Sequence, residues 1–140
     1  MRLQLVTLDG IKADEEIYSV TIPTEDGEIT VFPSHEALVT MATLGVLQVR
    51  HHKGDSDDQK TFFAIYGGVV KINQESVIIL VDEAESDDEI VEADAKEALR
   101  RAEELKNGAT SRIELENAHK LLQRSHLKLK VSELKRRRRR

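Results

Sequence analysis

The spacing of apolar residues changes once along this chain, near residue 85, and that change divides the fold. Before it, short runs alternate at period two between turn signals such as Asp26-Gly27, a pattern typical of antiparallel hairpins. After it, apolar residues recur at steps of three and four, which is the spacing of one helix face. The sequence therefore predicts a β + α protein. It has an N-terminal antiparallel β-sandwich or flattened barrel, a C-terminal antiparallel two-helix hairpin and a basic tail, at residues 1–85, 86–135 and 136–140.

Glycine and polar residues separate the predicted strands of the first part. Gly67 and Gly68 lie between two of them, and we expect a bulge or a close approach of two backbones there, because glycine in a strand region has that role. The later β segments are predicted at residues 45–50, 61–66, 69–72 and 77–81.

Two capping boxes, SDDE at residues 86–89 and SRIE at residues 111–114, predict the starts of the two helices. Asn107-Gly108 predicts the end of the first. The facing stripes are predicted as Val91, Ala95, Ala98, Ala102 and Leu105 on the first helix, and Leu115, Ala118, Leu122, Ser125 and Leu129 on the second. Each Å² of buried apolar area contributes about 25 cal/mol to stability, and alanine side chains bury little such area. The hairpin therefore needs a further surface to pack on.

Charge is distributed unevenly along the chain. The net charge is −9 for residues 1–85, −4 for residues 86–110 and +8 for residues 111–140, within a total of −5. An acidic body with a basic end predicts that this end binds an anionic partner or folds back onto its own body. The sequence has no cysteine, no apolar run long enough to cross a bilayer and no signal peptide at its start. We therefore expect a soluble, cytosolic protein that reaches a membrane only through a complex.

Enzyme and metal chemistry find little support in the sequence. His35 stands between a Pro-Ser turn and Glu36, but the only other histidines of this half, His51 and His52, are adjacent and point to opposite strand faces. No nucleophile elbow, phosphate-binding loop or dinucleotide motif is present. The acidic residues between Asp82 and Glu89 lack the spacing of a calcium loop. We predict no catalytic residue, no metal site and no cofactor.

The basic run at the C-terminal end permits an electrostatic contact with an acidic surface. Nucleic acid is not favoured, because the aromatic side chains that would stack on bases are missing beside the run. An alternative function, in a different class, is that of an adaptor whose basic tail binds nucleic acid or an anionic membrane surface.

Taken together, these segments resemble the epsilon subunit of the F-type ATP synthase, and the likeness spans nearly the whole chain. The first landmark is GEITVFPSHEALVT at residues 27–40, similar to the family's Gly-Glu-x-x-x-x-Pro-Gly-His-Ala-Pro-Leu-Val-Thr loop. Three more follow in order: LGVLQVR at residues 44–50, YGGVVKI at residues 66–72 and VIILVDEAE at residues 77–85. Ser34, Glu36 and Ala37 depart from the usual Gly, Ala and Pro, which implies a less rigid loop.

The resemblance implies a non-catalytic rotor subunit on the cytoplasmic face of the bacterial cell membrane. Its β domain would contact the gamma subunit and the ring of c subunits, through residues that include Glu28, Ser34, His35, Glu36, Gly67 and Gly68. The hairpin would fold down on the β domain or extend along the shaft. When extended, its basic second helix, with Arg124, Lys128 and Lys135, would meet acidic helices of the catalytic beta subunits and block ATP hydrolysis.

Some family members bind ATP in the hairpin through an Ile-Asp-x-x-Arg-Ala motif. Here the motif reads IVEADA at residues 90–95, so Val91 and Asp94 replace the aspartate and the arginine. Arg101, Arg124 and Lys128 remain as weak candidates to hold phosphate, while Asp94 would repel it. We therefore expect weak ATP binding or none.

Overall fold

The computed structural model describes residues 1–139 of the chain. Arg140, the last residue of the predicted basic tail, lies outside the described residues. The strands are β1 Arg2–Thr7, β2 Gly10–Glu16, β3 Ser19–Thr24, β4 Gly27–Val31, β5 Leu38–Arg50, β6 Thr61–Ile72, β7 Ser76–Val81 and β8 Ala84–Ser86. The helices are α1 Glu92–Asn107 and α2 Arg112–Arg139, and a 3-10 turn at Asp57–Gln59 precedes β6.

The predicted β-sandwich followed by a helical hairpin is confirmed. The strands follow the order β2-β1-β7-β6-β5-β3-β4, and β8 also pairs with β6. Neighbouring strands run antiparallel except β1 and β7, which are parallel. The core between the two layers is aliphatic, and its largest fully buried side chains are Leu3, Leu5, Ile22, Leu47, Ile65, Ile72 and Ile79.

The long strands β5 and β6 take part in both layers. Residues 68–72 of β6 pair with β7, whereas residues 63–65 pair with β8, so the strand changes partner at Gly67 and Gly68. A Cβ atom at Gly68 would lie 2.1 Å from the carbonyl oxygen of Leu80. The expected close backbone approach is therefore present. The prediction of two separate segments at 61–66 and 69–72 is wrong, because the glycines bend one continuous strand instead of ending it.

The first capping box does not begin a helix. Ser86 is the last residue of β8, and its hydroxyl donates to Glu89 in a turn, while α1 begins only at Glu92. The same short sequence can close a turn or cap a helix, because both use local side-chain hydrogen bonds. The second box acts as predicted: the amide of Glu114 donates to the hydroxyl of Ser111 at 3.1 Å, at the start of α2.

The hairpin packs as a layer outside the sandwich, with α2 between α1 and the sheet. The predicted facing stripes are partly wrong, because Val91, Ala98, Leu105 and Leu115 are exposed. The residues that the hairpin buries from these stripes are Ala95 and Ala102 on α1, and Ala118, Leu122 and Ser125 on α2. A second stripe of α2, unnoticed in the sequence, faces the sandwich through Leu127, Val131 and Leu134.

Candidate interaction surfaces

The surface between α2 and the sandwich is a small apolar cluster. Leu127 and Val131 of α2 pack with Val46, Phe62 and Ala64, and these five side chains are at most 6% exposed. Residues 46, 62 and 64 lie on the outer face of their strands, since the alternate residues Leu47, Phe63 and Ile65 point into the core. The hairpin therefore covers one outer face of the sandwich. This is the further surface that the alanine-rich stripes required.

A row of ion pairs borders this apolar cluster. We call the region from Asp82 to Glu89 the acidic segment; it contains β8 and the turns on either side of it. Arg124 contacts Glu83 at 2.5 Å, Lys128 contacts Glu85 at 3.2 Å and Lys135 contacts Asp88 at 3.0 Å. The three candidate partner-contact residues of the second helix are thus bound to the chain's own acidic segment. Of the two predictions for the basic end, the structure shows the one in which it folds back.

Arg138 forms the most buried of these contacts. Its two terminal nitrogens donate to both carboxylate oxygens of Asp87, at 2.6 and 3.2 Å, and Asp87 is 1% exposed. The amide of Phe62 donates to Asp87 at 3.0 Å, and Arg138 also donates to the carbonyl of Lys60 at 3.1 Å. A bidentate pair with extra hydrogen bonds fixes geometry as well as charge. The end of α2 is therefore attached to the start of β6.

Tyr66 connects the apolar cluster to the ion pairs. The guanidinium of Arg124 lies 4.0 Å from the centre of the Tyr66 ring, and the Tyr66 hydroxyl donates to Glu85 at 3.2 Å. Burial, together with the nearby negative charge of Glu85, raises the pKa of Tyr66 well above its usual range. The phenol is therefore protonated at neutral pH and donates to Glu85.

The loop that carries His35 has one hydrogen bond within itself and one to the turn between β6 and β7. His35 Nδ1 lies 2.7 Å from the carbonyl oxygen of Glu36, and the amide of Ser34 donates to the carbonyl of Gln74 at 3.0 Å. Ser34 has a φ of 67°, a left-handed conformation that glycine adopts most easily, at the position where the resemblance leads us to expect glycine. Among residues 1–139 no group of three or more acidic or histidine side chains is placed to hold a metal ion.

The other candidate contact residues of the sandwich are spread over its surface. Glu28 is exposed on the edge strand β4, opposite Pro23. Gly67 and Gly68 are half-buried at the bend of β6, where they shape the backbone and offer no side chain. The structure therefore joins Ser34, His35 and Glu36 in one loop and places the two glycines in a different element.

An exposed apolar row crosses the opposite outer face of the sandwich. Direct strand pairing aligns Met41, Val69, Leu80, Val6 and Ile11, one from each of five adjacent strands, and we call these residues the outer apolar row. Ile11 is 63% exposed, Met41 53% and Leu80 51%, so no part of residues 1–139 covers them. Sequence reasoning missed this row. Its signal was the unbroken apolar run at residues 77–81, which implies apolar side chains on both strand faces.

The three basic candidates for ATP are not brought together around a free site. Arg101 pairs with Glu97 at 3.3 Å and lines a cavity of about 590 Å³ near the hairpin's connection, beside Glu104 and Glu114. Arg124 and Lys128 instead face the sandwich and pair with Glu83 and Glu85. Each cation is thus matched by a different carboxylate. ATP binding in the hairpin would need at least one of these pairs to break.

Comparison with known proteins finds a matching family model and similar solved structures. A family model described as "ATP synthase, Delta/Epsilon chain, beta-sandwich domain" matches residues 1–87. One similar chain belongs to the Euglena gracilis mitochondrial ATP synthase OSCP/F1/c-ring assembly in rotational state 1. It is 25% identical to this chain, with a TM-score of 0.75, and the match covers 89% of this chain and 76% of the Euglena chain. A chain of the Tetrahymena thermophila mitochondrial ATP synthase central stalk and c-ring is similar in fold, with 18% identity, a TM-score of 0.59 and coverage of 94% and 96%.

Proposed function

The chain belongs to the ATP synthase delta/epsilon chain family, and on that basis we propose that it is a non-catalytic central-stalk subunit of an F-type ATP synthase. The similar Euglena and Tetrahymena chains come from assemblies that include the c-ring. In this proposal the sandwich connects the ring of c subunits to the gamma subunit, and the hairpin regulates hydrolysis. The subunit acts as a peripheral protein at the cytoplasmic face of a bacterial membrane, held there by the complex. No described helix is both long and apolar enough to cross a bilayer.

The outer apolar row is the observation that supports this role best. The sandwich has two outer faces, of which one is covered by α2 and the other presents Met41, Val69 and Leu80 to solvent. A contiguous apolar surface of this kind is typical of a protein interface. We assign the gamma subunit to this face, while the His35 loop and Glu28 face the c-ring.

Co-purification tests the assignment of the gamma subunit. Leu80→Asp places a charge at the centre of the row and should abolish stoichiometric recovery of gamma with this chain. Leu115→Asp is the matched control, because Leu115 is similarly exposed, at 45%, but lies on the hairpin. Retention of gamma by the Leu80→Asp protein, with circular dichroism showing an intact fold for both variants, would rule out this face as the interface.

The ion pairs of the acidic segment support a regulatory role for the hairpin. Arg124, Lys128 and Lys135 are the residues proposed to reach acidic helices of the beta subunits, and each is bound here to Glu83, Glu85 or Asp88. Individual exposed pairs contribute a few tenths of a kcal/mol each, so reversing their charges can weaken the docking of α2 without disturbing the core of the sandwich. We propose that release frees these cations to slow ATP hydrolysis.

Charge reversal in the acidic segment tests this regulation in the assembled enzyme. Glu83→Lys with Glu85→Lys should free the hairpin and lower the rate of ATP hydrolysis, and deletion of residues 124–140 should restore it. Glu25→Lys with Asp26→Lys changes charge equally at an exposed turn and should leave the rate unchanged. Equal hydrolysis rates for the parent, the charge-reversed and the truncated enzymes would refute the regulatory role. The adaptor alternative gains no support, since the basic residues 124, 128 and 135 are already paired within the chain.

A further inference from the structure

A basic pocket lies beside the hairpin, on the outer face formed by β3, β4 and the end of β5. Arg50, Lys53 and Lys60 line it, and we call these three residues with their cavity of about 380 Å³ the basic pocket. Residues 1–85 contain only 6 lysine and arginine residues against 15 acidic ones. Half of the cations of an acidic body therefore line one small cavity.

An acidic side chain already uses part of this positive charge. The same oxygen of Asp57 contacts Arg50 at 2.9 Å and Lys60 at 3.0 Å. A hydrogen bond from Lys60, reinforced by the charges of Lys60 and Arg50, keeps the pKa of Asp57 below its usual range. An anionic oxygen thus already lies between two of the lining cations, although Asp57 is not itself part of the pocket lining. Asp57 itself is 81% exposed, so an incoming ligand can share or replace its position.

The remaining cation and the neutral walls are available to a ligand. Within residues 1–139 Lys53 has no ion-pair partner, and it is exposed. Arg50 also donates to the carbonyl of Asp55, which holds its guanidinium in place. The hydroxyls of Thr21 and Thr30 share a hydrogen bond of 2.9 Å on the pocket wall, which leaves one of the two O–H groups to donate to a ligand oxygen.

An aromatic pair forms the other side of the basic pocket. The rings of Tyr18 and Phe32 meet edge to face, with centroids 5.7 Å apart, and Phe32 is 47% exposed. A half-exposed aromatic ring beside cations is suited to a ligand that has both a planar ring and a phosphate. The volume lies at the small end of the range for ligand sites, about 300–1,000 Å³, which is adequate for a mononucleotide.

We propose that the basic pocket binds a phosphate-bearing ligand of mononucleotide size. Its phosphate contacts Lys53, Arg50 and Lys60, and its ring stacks on Phe32. This site is on the sandwich, far in sequence from the hairpin residues considered for ATP. It does not depend on the stalk function, because each of its parts belongs to the isolated chain.

Calorimetric titration of the full chain with pyrophosphate and with AMP tests the proposal. Both probes should bind saturably. Lys53→Ala should lower the affinity for each probe by about tenfold, which is the effect of losing one hydrogen bond to a charged group. Lys71→Ala is the matched control, because it removes one exposed lysine from the opposite face of the same domain. Asp57→Asn should strengthen the binding of pyrophosphate, because it removes the competing carboxylate.

The two probes separate the two halves of the site. Phe32→Leu should lower the affinity for AMP and leave the affinity for pyrophosphate unchanged. An equal effect on both affinities would refute the contact between Phe32 and the ligand ring. Absence of saturable heat for either probe at millimolar concentration would overturn the proposal. The same conclusion follows if Lys71→Ala weakens binding as much as Lys53→Ala, since the attraction would then be a diffuse effect of net charge.

Discussion

At the scale of single residues, Asp87 carries a negative charge at the boundary between sandwich and hairpin. Its donors are the amide of Phe62 and the guanidinium of Arg138. Removing Arg138 would leave this carboxylate buried with one neutral donor, and a buried charge without its partner is costly. The contact is therefore more important to stability than the exposed ion pairs around it.

We predict that Arg138→Ala lowers the free energy of unfolding by about 1–3 kcal/mol, since Arg138 is itself partly exposed. Arg137→Ala is the control. Arg137 pairs with Glu133 on its own helix, in solvent, and its loss should cost under about 0.5 kcal/mol. Urea unfolding of both variants measures the difference. Equal losses would show that the Asp87 contact stabilises no more than a surface pair.

A second prediction at this scale concerns acid. Lys12 donates to both carboxylate oxygens of Glu89, at 3.2 and 3.0 Å, and this hydrogen bond is the main reason that the pKa of Glu89 lies below its ordinary value of 4.5. A carboxyl whose pKa is lowered in the folded state stabilises the protein at pH values above the pKa that the carboxyl has in the unfolded chain. This stabilisation is lost as the pH falls through the lower pKa of the folded state. The pair is partly exposed, so we expect it to contribute under about 1 kcal/mol to the free energy of unfolding.

Thermal unfolding of Glu89→Gln across pH measures this contribution. The variant should melt below the parent at pH 7, and the two melting temperatures should converge as pH falls below the ordinary value of 4.5. Lys12→Met should show the same convergence. A difference between parent and variant that is independent of pH would indicate lost packing and not a lost charge interaction.

At the scale of elements, the bend in β6 depends on a glycine. A Cβ at Gly68 would lie 2.1 Å from the carbonyl oxygen of Leu80, so β7 would have to move away. Gly68→Ala should destabilise the sandwich by about 2–4 kcal/mol. Gly54→Ala is the matched control, because a Cβ there meets nothing within 4 Å, and its effect should stay within about 0.5 kcal/mol. Chemical denaturation of both proteins gives the comparison.

The second stripe of α2 permits a test of how the hairpin docks. Val131 is fully buried against the sandwich, whereas Ile113 on the same helix is 71% exposed. Val131→Asp should detach α2 and increase hydrogen exchange at the amides of residues 124–139. Ile113→Asp adds the same charge and should leave the exchange unchanged. Unchanged exchange in the Val131→Asp protein would mean that the ion pairs alone hold the hairpin.

The sequence was sufficient for the fold class because the two periodicities differ so clearly on either side of residue 85. It was insufficient for the hairpin's contacts. Ala118 and Leu122 face α1 while Leu127 and Val131 face the sandwich, so α2 has apolar residues on nearly opposite sides. A pattern with two stripes resembles a weakly amphipathic helix, and only the tertiary arrangement separates them. The basic pocket was missed for a related reason, since Arg50 and Lys60 meet through strand pairing across a loop.

At the scale of the whole molecule, the boundary between sandwich and hairpin can be tested by truncation. A fragment of residues 1–88 keeps β8 and the hydrogen bonds between Asp87 and Phe62, whereas a fragment of residues 1–85 loses Ser86 and those bonds. We expect both to unfold cooperatively, with the longer one more stable by about 1–3 kcal/mol, because the Asp87 carboxylate is open to water once the hairpin is absent and is no longer a buried, unpaired charge. Urea unfolding measures the free energy of unfolding of each fragment. A molten 1–88 fragment would show that the sandwich depends on the hairpin for its fold.

The parallel pairing of β1 with β7 has a consequence for the order of events during synthesis. Arg2 pairs with Ser76 and Val6 with Leu80, so β1, which leaves the ribosome well before β7, lies between β2 and β7 in the sheet. At about 5–20 residues per second, β1 and β2 wait ~3–13 s as an isolated hairpin before β7 emerges, and such a hairpin is marginal in water. Throughout that interval Leu3 and Leu5 have no core to enter and the free edge of β1 can pair with another chain. The nascent protein is therefore most vulnerable to aggregation, and most in need of a chaperone, before β7 emerges.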